Sequence, residues 1–246
     1  MIAASHKKWA HLLFRFYLHR LFRKTFHSIH LLGSSPDLDS KQPIILLPNH
    51  HSWWDGFFIY VINEKILKRP LFLMMLEEQL KKYPFFSKVG AFSIHPNNSK
   101  KILESLHYCR HLLHLPLSPA PLLCIFPQGE LLPFYSRPIK LKRGYEWIIK
   151  KSNTSLTILP LGTRIEFLAH QRPEVFFLFG HPVKCDSQNF PELPQMEKIL
   201  NDLLYDLQCQ ILSGRKGILL QSGSKSVNEK WDYFKSKLMK RNRTLL

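Results

Sequence analysis

Four short apolar runs, at 43–47, 121–126, 156–161 and 174–179, recur along this 246-residue chain with helical stretches between them, and that alternation constrains the fold more than any other feature. Brief apolar runs bounded by Pro and polar residues read as strands buried on both faces, which is the pattern of a parallel sheet. Residues 53–68, 100–115 and 144–151 have helical composition or spacing. The expected class is therefore α/β, with a central, largely parallel (mixed) sheet flanked by helices. Three segments are expected: an amphipathic helix in 1–36, an α/β domain in 37–190, and a helical, basic tail in 191–246 packed on that domain or following it.

The first run leads directly into Asn49-His50-His51-Ser52-Trp53-Trp54-Asp55-Gly56. Five steps of ideal helix would leave the His50 and Asp55 side chains about 140° apart, so they meet only if the chain turns between them. Pro48 and Gly56 bracket a segment able to turn. A neutral imidazole, with an ordinary pKa of about 6.5, can take a proton from an attacking hydroxyl while a neighbouring carboxylate fixes its tautomer. No serine nucleophile accompanies the pair, so the activated hydroxyl would belong to a substrate, which points to group transfer onto an alcohol. A plain polar loop accounts for these eight residues equally well.

A second polar cluster, Phe126-Pro127-Gln128-Gly129-Glu130, follows another apolar run. Ligands of open α/β sheets collect beyond the carboxyl ends of the strands, where the two clusters would face each other. A free amide at Gly129 would stabilise an oxyanion, whereas the bland reading is a Pro-Gly turn with solvated neighbours. His107, His111 and His114 share one helix face away from its apolar arc and read as solvated. Cys124 lies inside an apolar run and reads as core. GxSxG, GxxxxGK, GxGxxG and HExxH are absent, which removes support for hydrolase-elbow, nucleotide, dinucleotide and zinc-protease chemistry.

Lys and Arg outnumber Asp and Glu by 35 to 18, and the excess sits at the two ends. Residues 1–36 carry six basic side chains and no acid, and residues 213–246 carry nine against Glu229 and Asp232. An anionic surface, membrane or nucleic acid, fits this distribution. In the amino-terminal segment Lys8, His11, Arg15, His19, Arg23 and His27 form a stripe, with Trp9, Leu12, Leu13, Phe16, Tyr17, Leu21 and Phe26 on the other side. Such a helix suits a membrane interface or the protein's own core, and the two readings can hold together. The aromatic face favours an anionic membrane over nucleic acid. Neither a signal peptide nor a membrane-spanning helix is expected. The four cysteines, Cys109, Cys124, Cys185 and Cys209, are widely spaced and read as reduced thiols without a structural metal. The expected location is the cytoplasmic face of a membrane, held peripherally.

Taken together, these residues resemble the glycerolipid acyltransferase family. Its first block matches Asn49-His50 to Asp55, its third Phe126-Pro127-Gln128-Gly129, and its fourth Ile158-Leu159-Pro160-Leu161, with Lys142-Arg143-Gly144 between the last two. The resemblance implies acyl transfer from a thioester, acyl-CoA or acyl-carrier protein, to a hydroxyl of a lipid acceptor, with no further cofactor. It makes His50 the general base and Asp55 its orienting partner. Substrate contacts are implied at Asn49, Gly90, Phe92, Phe126, Pro127, Gln128, Gly129, Glu130, Arg137, Lys142, Arg143 and Pro160. The second block, Gly90-Ala91-Phe92-Ser93-Ile94, runs into His95-Pro96 where the family has an Arg for the acceptor's phosphate. Either Arg137, Lys142 or Arg143 supplies that charge, or the acceptor is phosphate-free, such as a glycosylated or hydroxylated lipid. Gln128 and Glu130 replace a usual Glu and a usual hydroxyl residue. The alternative is a non-catalytic membrane lipid-binding protein of the same fold.

Overall fold

The structure, a computed structural model, describes residues 1–215 and 217–224 together with Trp231 and Lys235. Its strands are β1 (Ser28–Leu32), β2 (Ile44–Pro48), β3 (Leu71–Leu76), β4 (Ala91–Ile94), β5 (Leu122–Cys124), β6 (Leu156–Glu166), β7 (Glu174–Phe179), β8 (Val183–Cys185) and β9 (Ile218–Ser222). The helices are α1 (Lys8–Thr25), α2 (Asp55–Ile62), α3 (Glu77–Lys82), α4 (Ser99–Leu113), α5 (Gly144–Ser152) and α6 (Leu193–Leu212). The strands form one sheet in the order β4-β3-β5-β2-β6-β7-β1-β9, with β8 also paired to β6. Pairing is parallel from β4 through β6 and antiparallel between β6 and β7.

β2 is the centre of the architecture, and every residue of it is buried. Ile44 and Leu46 join the apolar layer under α1 and α2, with Phe14, Leu18, Phe22 and Phe58. Ile45 and Leu47 join the layer under α4, α5 and α6, with Leu112, Ile148 and Leu204. A strand covered on both faces needs apolar residues at every position, which is why the run is unbroken. The register pairs Leu46 with Cys124 and Pro48 with Leu161, so the chain leaves β2 and β5 at one edge while β6 runs on past it. Pro160 costs β6 no bond to β2: its carbonyl, and with it the side of the strand its missing N–H would serve, faces Gly180, 3.0 Å away, where β6 passes from β8 to β7.

The amino-terminal helix packs one apolar face on the core and leaves a second one exposed. Ala10, Phe14, Leu18 and Phe22 are buried against the core, whereas Trp9, Leu12, Leu13, Phe16 and Tyr17 stand more than half exposed. Leu21 and Phe26 do not share the outer face: Phe26 is buried, packed edge-on to Phe22 and Trp54. His11 leaves the basic stripe as well, because its ring is bonded to the Tyr60 hydroxyl at 3.0 Å and to His6 at 2.9 Å.

Other departures from expectation have local causes. The helix expected over 53–68 is α2 followed by a wider π-helical turn, Asn63–Leu67, that ends at Lys68 in the left-handed region. Up to residue 224, the tail expected to be helical from 191 is helical over α6, which opens with a Glu192/Gln195 capping box. It then returns as β9, antiparallel to β1, and so completes the sheet edge. Position 216 and, apart from Trp231 and Lys235, residues 225–246 of the expected basic tail lie outside the described residues. Among the described residues, no helix is long and apolar enough to cross a membrane.

Candidate active site

Asn49 continues the β2–β6 ladder with its side chain. Its Oδ1 accepts from the Thr163 amide at 2.7 Å and its Nδ2 donates to the Thr163 carbonyl at 3.1 Å, which ties the end of β2 to β6. His50 follows, the chain turns through Ser52, Trp53 and Trp54, and Asp55 opens α2. The turn brings the two side chains together: His50 Nδ1 lies 2.7 Å from Asp55 Oδ2.

The Asp55 carboxylate is fully buried and saturated with donors. Oδ2 also accepts from the amides of His51 at 2.7 Å and Ser52 at 2.9 Å, and Oδ1 accepts from the Ser52 hydroxyl at 2.6 Å. Burial alone would raise its pKa, but the hydrogen bonds from His50 and Ser52 and the proximity of His51 outweigh burial and hold it below its ordinary value. An ionised carboxylate only accepts, so His50 must present Nδ1–H to it, and the lone pair of the imidazole is left on Nε2. Such a nitrogen can accept a proton from a bound hydroxyl.

The second cluster meets the first. The His50 amide donates to Gln128 Oε1 at 2.6 Å, its carbonyl accepts from the Leu132 amide at 3.2 Å, and its ring stacks on Phe126 with centroids 4.2 Å apart. Gln128 is itself buried and Pro127 accepts from the Lys142 amide at 2.7 Å, so the loop after β5 clamps the His50 backbone. Gly129 corrects one expectation. Its amide is not free for an oxyanion, because it closes the local turn by donating to the Phe126 carbonyl at 3.1 Å. Its φ of +73° needs glycine, and an added Cβ would lie 2.9 Å from Lys142 Cγ. Glu130 is exposed beside it.

Most of the remaining candidates separate. Gly90 has a φ of +106°, and an added Cβ would lie 2.1 Å from the Leu71 carbonyl oxygen, so its lack of a side chain lets β3 and β4 approach. Phe92 is fully buried against Tyr108 and offers a substrate no surface. Pro160 pairs with Leu47 inside the sheet. His95, just past β4, stands at the sheet's far edge, with β3 and β5 between that strand and β2. Arg137 is half-buried and donates to the Leu204 carbonyl at 3.2 Å, while Lys142 and Arg143 are exposed just before α5. Cys124 is fully buried, which pushes its thiol well up and keeps it unreactive. His107, His111 and His114 lie exposed on α4, and among the described residues no group of His, Cys, Asp or Glu is arranged to hold a metal.

Sequence reasoning missed Ser52, His51, Thr163 and Phe134. Ser52-Trp53-Trp54-Asp55 has the spacing of a capping box, in which the later carboxylate bonds back to the earlier amide, and that signal would have found Ser52. Thr163 lies 114 positions from the Asn49 it holds, and no local pattern marks it.

The sheet presents its His-Asp pair just past the carboxyl end of its central strand, an arrangement whose free imidazole nitrogen can take a proton from a bound hydroxyl. Residues 28–164 match the family model described as Acyltransferase, and the chain belongs to that family, the glycerolipid acyltransferases. Among solved structures it is similar to the 1-acyl-sn-glycerophosphate (LPA) acyltransferase PlsC from Thermotoga maritima, with a TM-score of 0.51 and 16% sequence identity over 85% of this chain and 80% of that one. At that identity the likeness is one of fold. No curated protein sequence matches the chain significantly.

Proposed function

We propose that the protein is a peripheral membrane O-acyltransferase that moves a fatty acyl group from a thioester, acyl-CoA or acyl-carrier protein, to a hydroxyl of a lipid acceptor. The observation that carries this reading is the fully buried, four-donor Asp55 holding His50 Nδ1–H, which leaves Nε2 as the base. In the reaction the acceptor's O–H gives its proton to Nε2 as the oxygen attacks the thioester carbonyl. The tetrahedral intermediate collapses, the C–S bond breaks, and the proton on Nε2 passes to the departing thiolate. Asp55 stays ionised throughout and stabilises the imidazolium.

Attachment to the bilayer is supported by the outer face of α1. Trp9, Leu12, Leu13, Phe16 and Tyr17 are exposed there, with Lys8, Arg15, Arg20 and Lys24 also exposed on the same helix. An aromatic chain runs from it along the surface: Trp9 contacts Phe85, Phe85 contacts Phe86, Phe86 contacts Phe57, and Phe57 contacts Trp53 with centroids 4.8 Å apart. Trp53 is 67% exposed and three residues from His50, so a lipid hydroxyl arriving from the interface follows an apolar path to the base. The test offers the purified chain labelled acyl-CoA or acyl-carrier protein with liposomes bearing phosphate-containing or phosphate-free hydroxyl lipids. An acylated lipid from at least one pair is expected; none from any pair, with a folded protein, would leave the lipid-binding alternative standing.

A further inference from the structure

We propose that His51, Arg137 and Arg164, gathered around Phe134 beside His50, form a subsite for a phosphate group of one of the two substrates. Arg164 lies on the part of β6 that runs beyond β2, and its guanidinium carbon stands 4.2 Å from the centre of the Phe134 ring. The Arg137 guanidinium stands 4.7 Å from the same centre, and the His51 ring meets it edge-on at 5.4 Å. The loop carrying Phe134 is fastened to the base itself through the bond from the Leu132 amide to the His50 carbonyl.

Two buried donors in this cluster have no partner, Arg164 Nη1 and His51 Nε2. The His51 tautomer follows from its neighbours. Thr163 fixes the Asn49 carboxamide from both ends, so the group facing His51 Nδ1 at 3.2 Å is the Nδ2 amide, a donor. Nδ1 therefore accepts, and the proton of the neutral ring sits on Nε2. Burial, the largest influence, keeps that ring below its ordinary pKa and hence neutral. The His51 side chain is only 8% exposed, so its N–H does not reach solvent freely. Unmet buried donors are uncommon and call for an acceptor.

The charges point the same way. Two guanidiniums crowd one ring, close enough that burial and then Arg164's charge lower the pKa of Arg137. Glu166 answers one of them, bonding Arg164 through Nε and leaving the rest of that fork open. A fork of guanidinium N–H groups and an imidazole N–H around one ring suit an oxyanion with several oxygens. Resting on the acyl-transfer reading, phosphate has two sources here: the headgroup of an acceptor, or the phosphates of a CoA or phosphopantetheine donor. If the donor supplies it, the acceptor needs none.

The test is equilibrium binding of CoA and of glycerol 3-phosphate, neither of which turns over, to the full chain and to Arg164→Gln and Arg137→Gln. The wild type is expected to bind at least one, and each variant to weaken that one roughly tenfold or more with its melting temperature retained. The ligand whose binding falls identifies the source. Arg164→Lys, which keeps a cation for Glu166 but loses the fork, is expected to lose most of the same binding and serves if Arg164→Gln unfolds. Variants that fold and bind both ligands as tightly as the wild type would overturn the subsite, as would a wild type that binds neither. Weakened binding in a protein that transfers no acyl group would instead uphold the subsite and sink the catalytic reading.

Discussion

The two flanks of His50 differ in how fully their polar groups are used. On the α2 side every Asp55 oxygen is engaged by a donor, and the loop after β5 takes up the His50 backbone through Gln128 and Leu132. On the β6 side Arg164 and His51 each keep an unmet buried donor. A saturated network holds a group still, and an unsaturated one leaves donors open. α1 repeats the contrast on a larger scale, with Ala10, Phe14, Leu18 and Phe22 packed away and Trp9, Leu12, Leu13, Phe16 and Tyr17 exposed. In both places the satisfied surface supports the fold, and the unsatisfied one is where we propose that a ligand or the bilayer binds.

Breaking the saturated flank should have the largest effect. Asp55→Asn keeps the volume but replaces an acceptor oxygen by a donor, so acyl transfer should fall by about 10² to 10⁴ in kcat while circular dichroism stays native. Phe14→Ala, on the packed face of α1, should cost about 3–5 kcal/mol in denaturant unfolding with liposome binding per folded molecule retained. Phe16→Ser, on the exposed face, should do the reverse, weakening sedimentation with anionic liposomes while stability moves by no more than about 0.5 kcal/mol. The smallest effect should be on acid stability. Asp55 has a folded pKa below its ordinary value of 3.8, so its contribution is present above that value and fades as pH falls through the lower folded one. Acid titration of unfolding should show a shallower slope in Asp55→Asn than in the wild type. Equal slopes would mean the carboxylate is not held as described.

Much of this was legible along the chain where neighbours in sequence are neighbours in space. The unbroken run at 43–47 had to be buried on both sides, and it is. His50 and Asp55 needed only a turn between them, and their 2.7 Å contact follows from one. β3 was hidden because Leu71 to Leu76 is built of Leu, Met and Phe, largely good helix formers without alternation, and it runs straight into α3. β1 and β9 were hidden because Ser28, His30 and Gln221 interrupt their apolar character, and each is set by pairing with distant chain. The Gly129 amide was misread for a simpler reason: Phe126-Pro127-Gln128-Gly129 closes its own turn, and that turn uses the donor. Of the β6 flank only Arg137 was legible, since His51, Phe134 and Arg164 are brought together only by the fold.

The central claim is that His50 Nε2 takes the acceptor's proton, and a single-turnover acyl-transfer assay of His50→Ala tests it most directly. With the acceptor and thioester that the wild type uses, and with an unchanged melting temperature, the variant should form no acylated lipid above the uncatalysed background. Transfer at the wild-type rate would contradict the account.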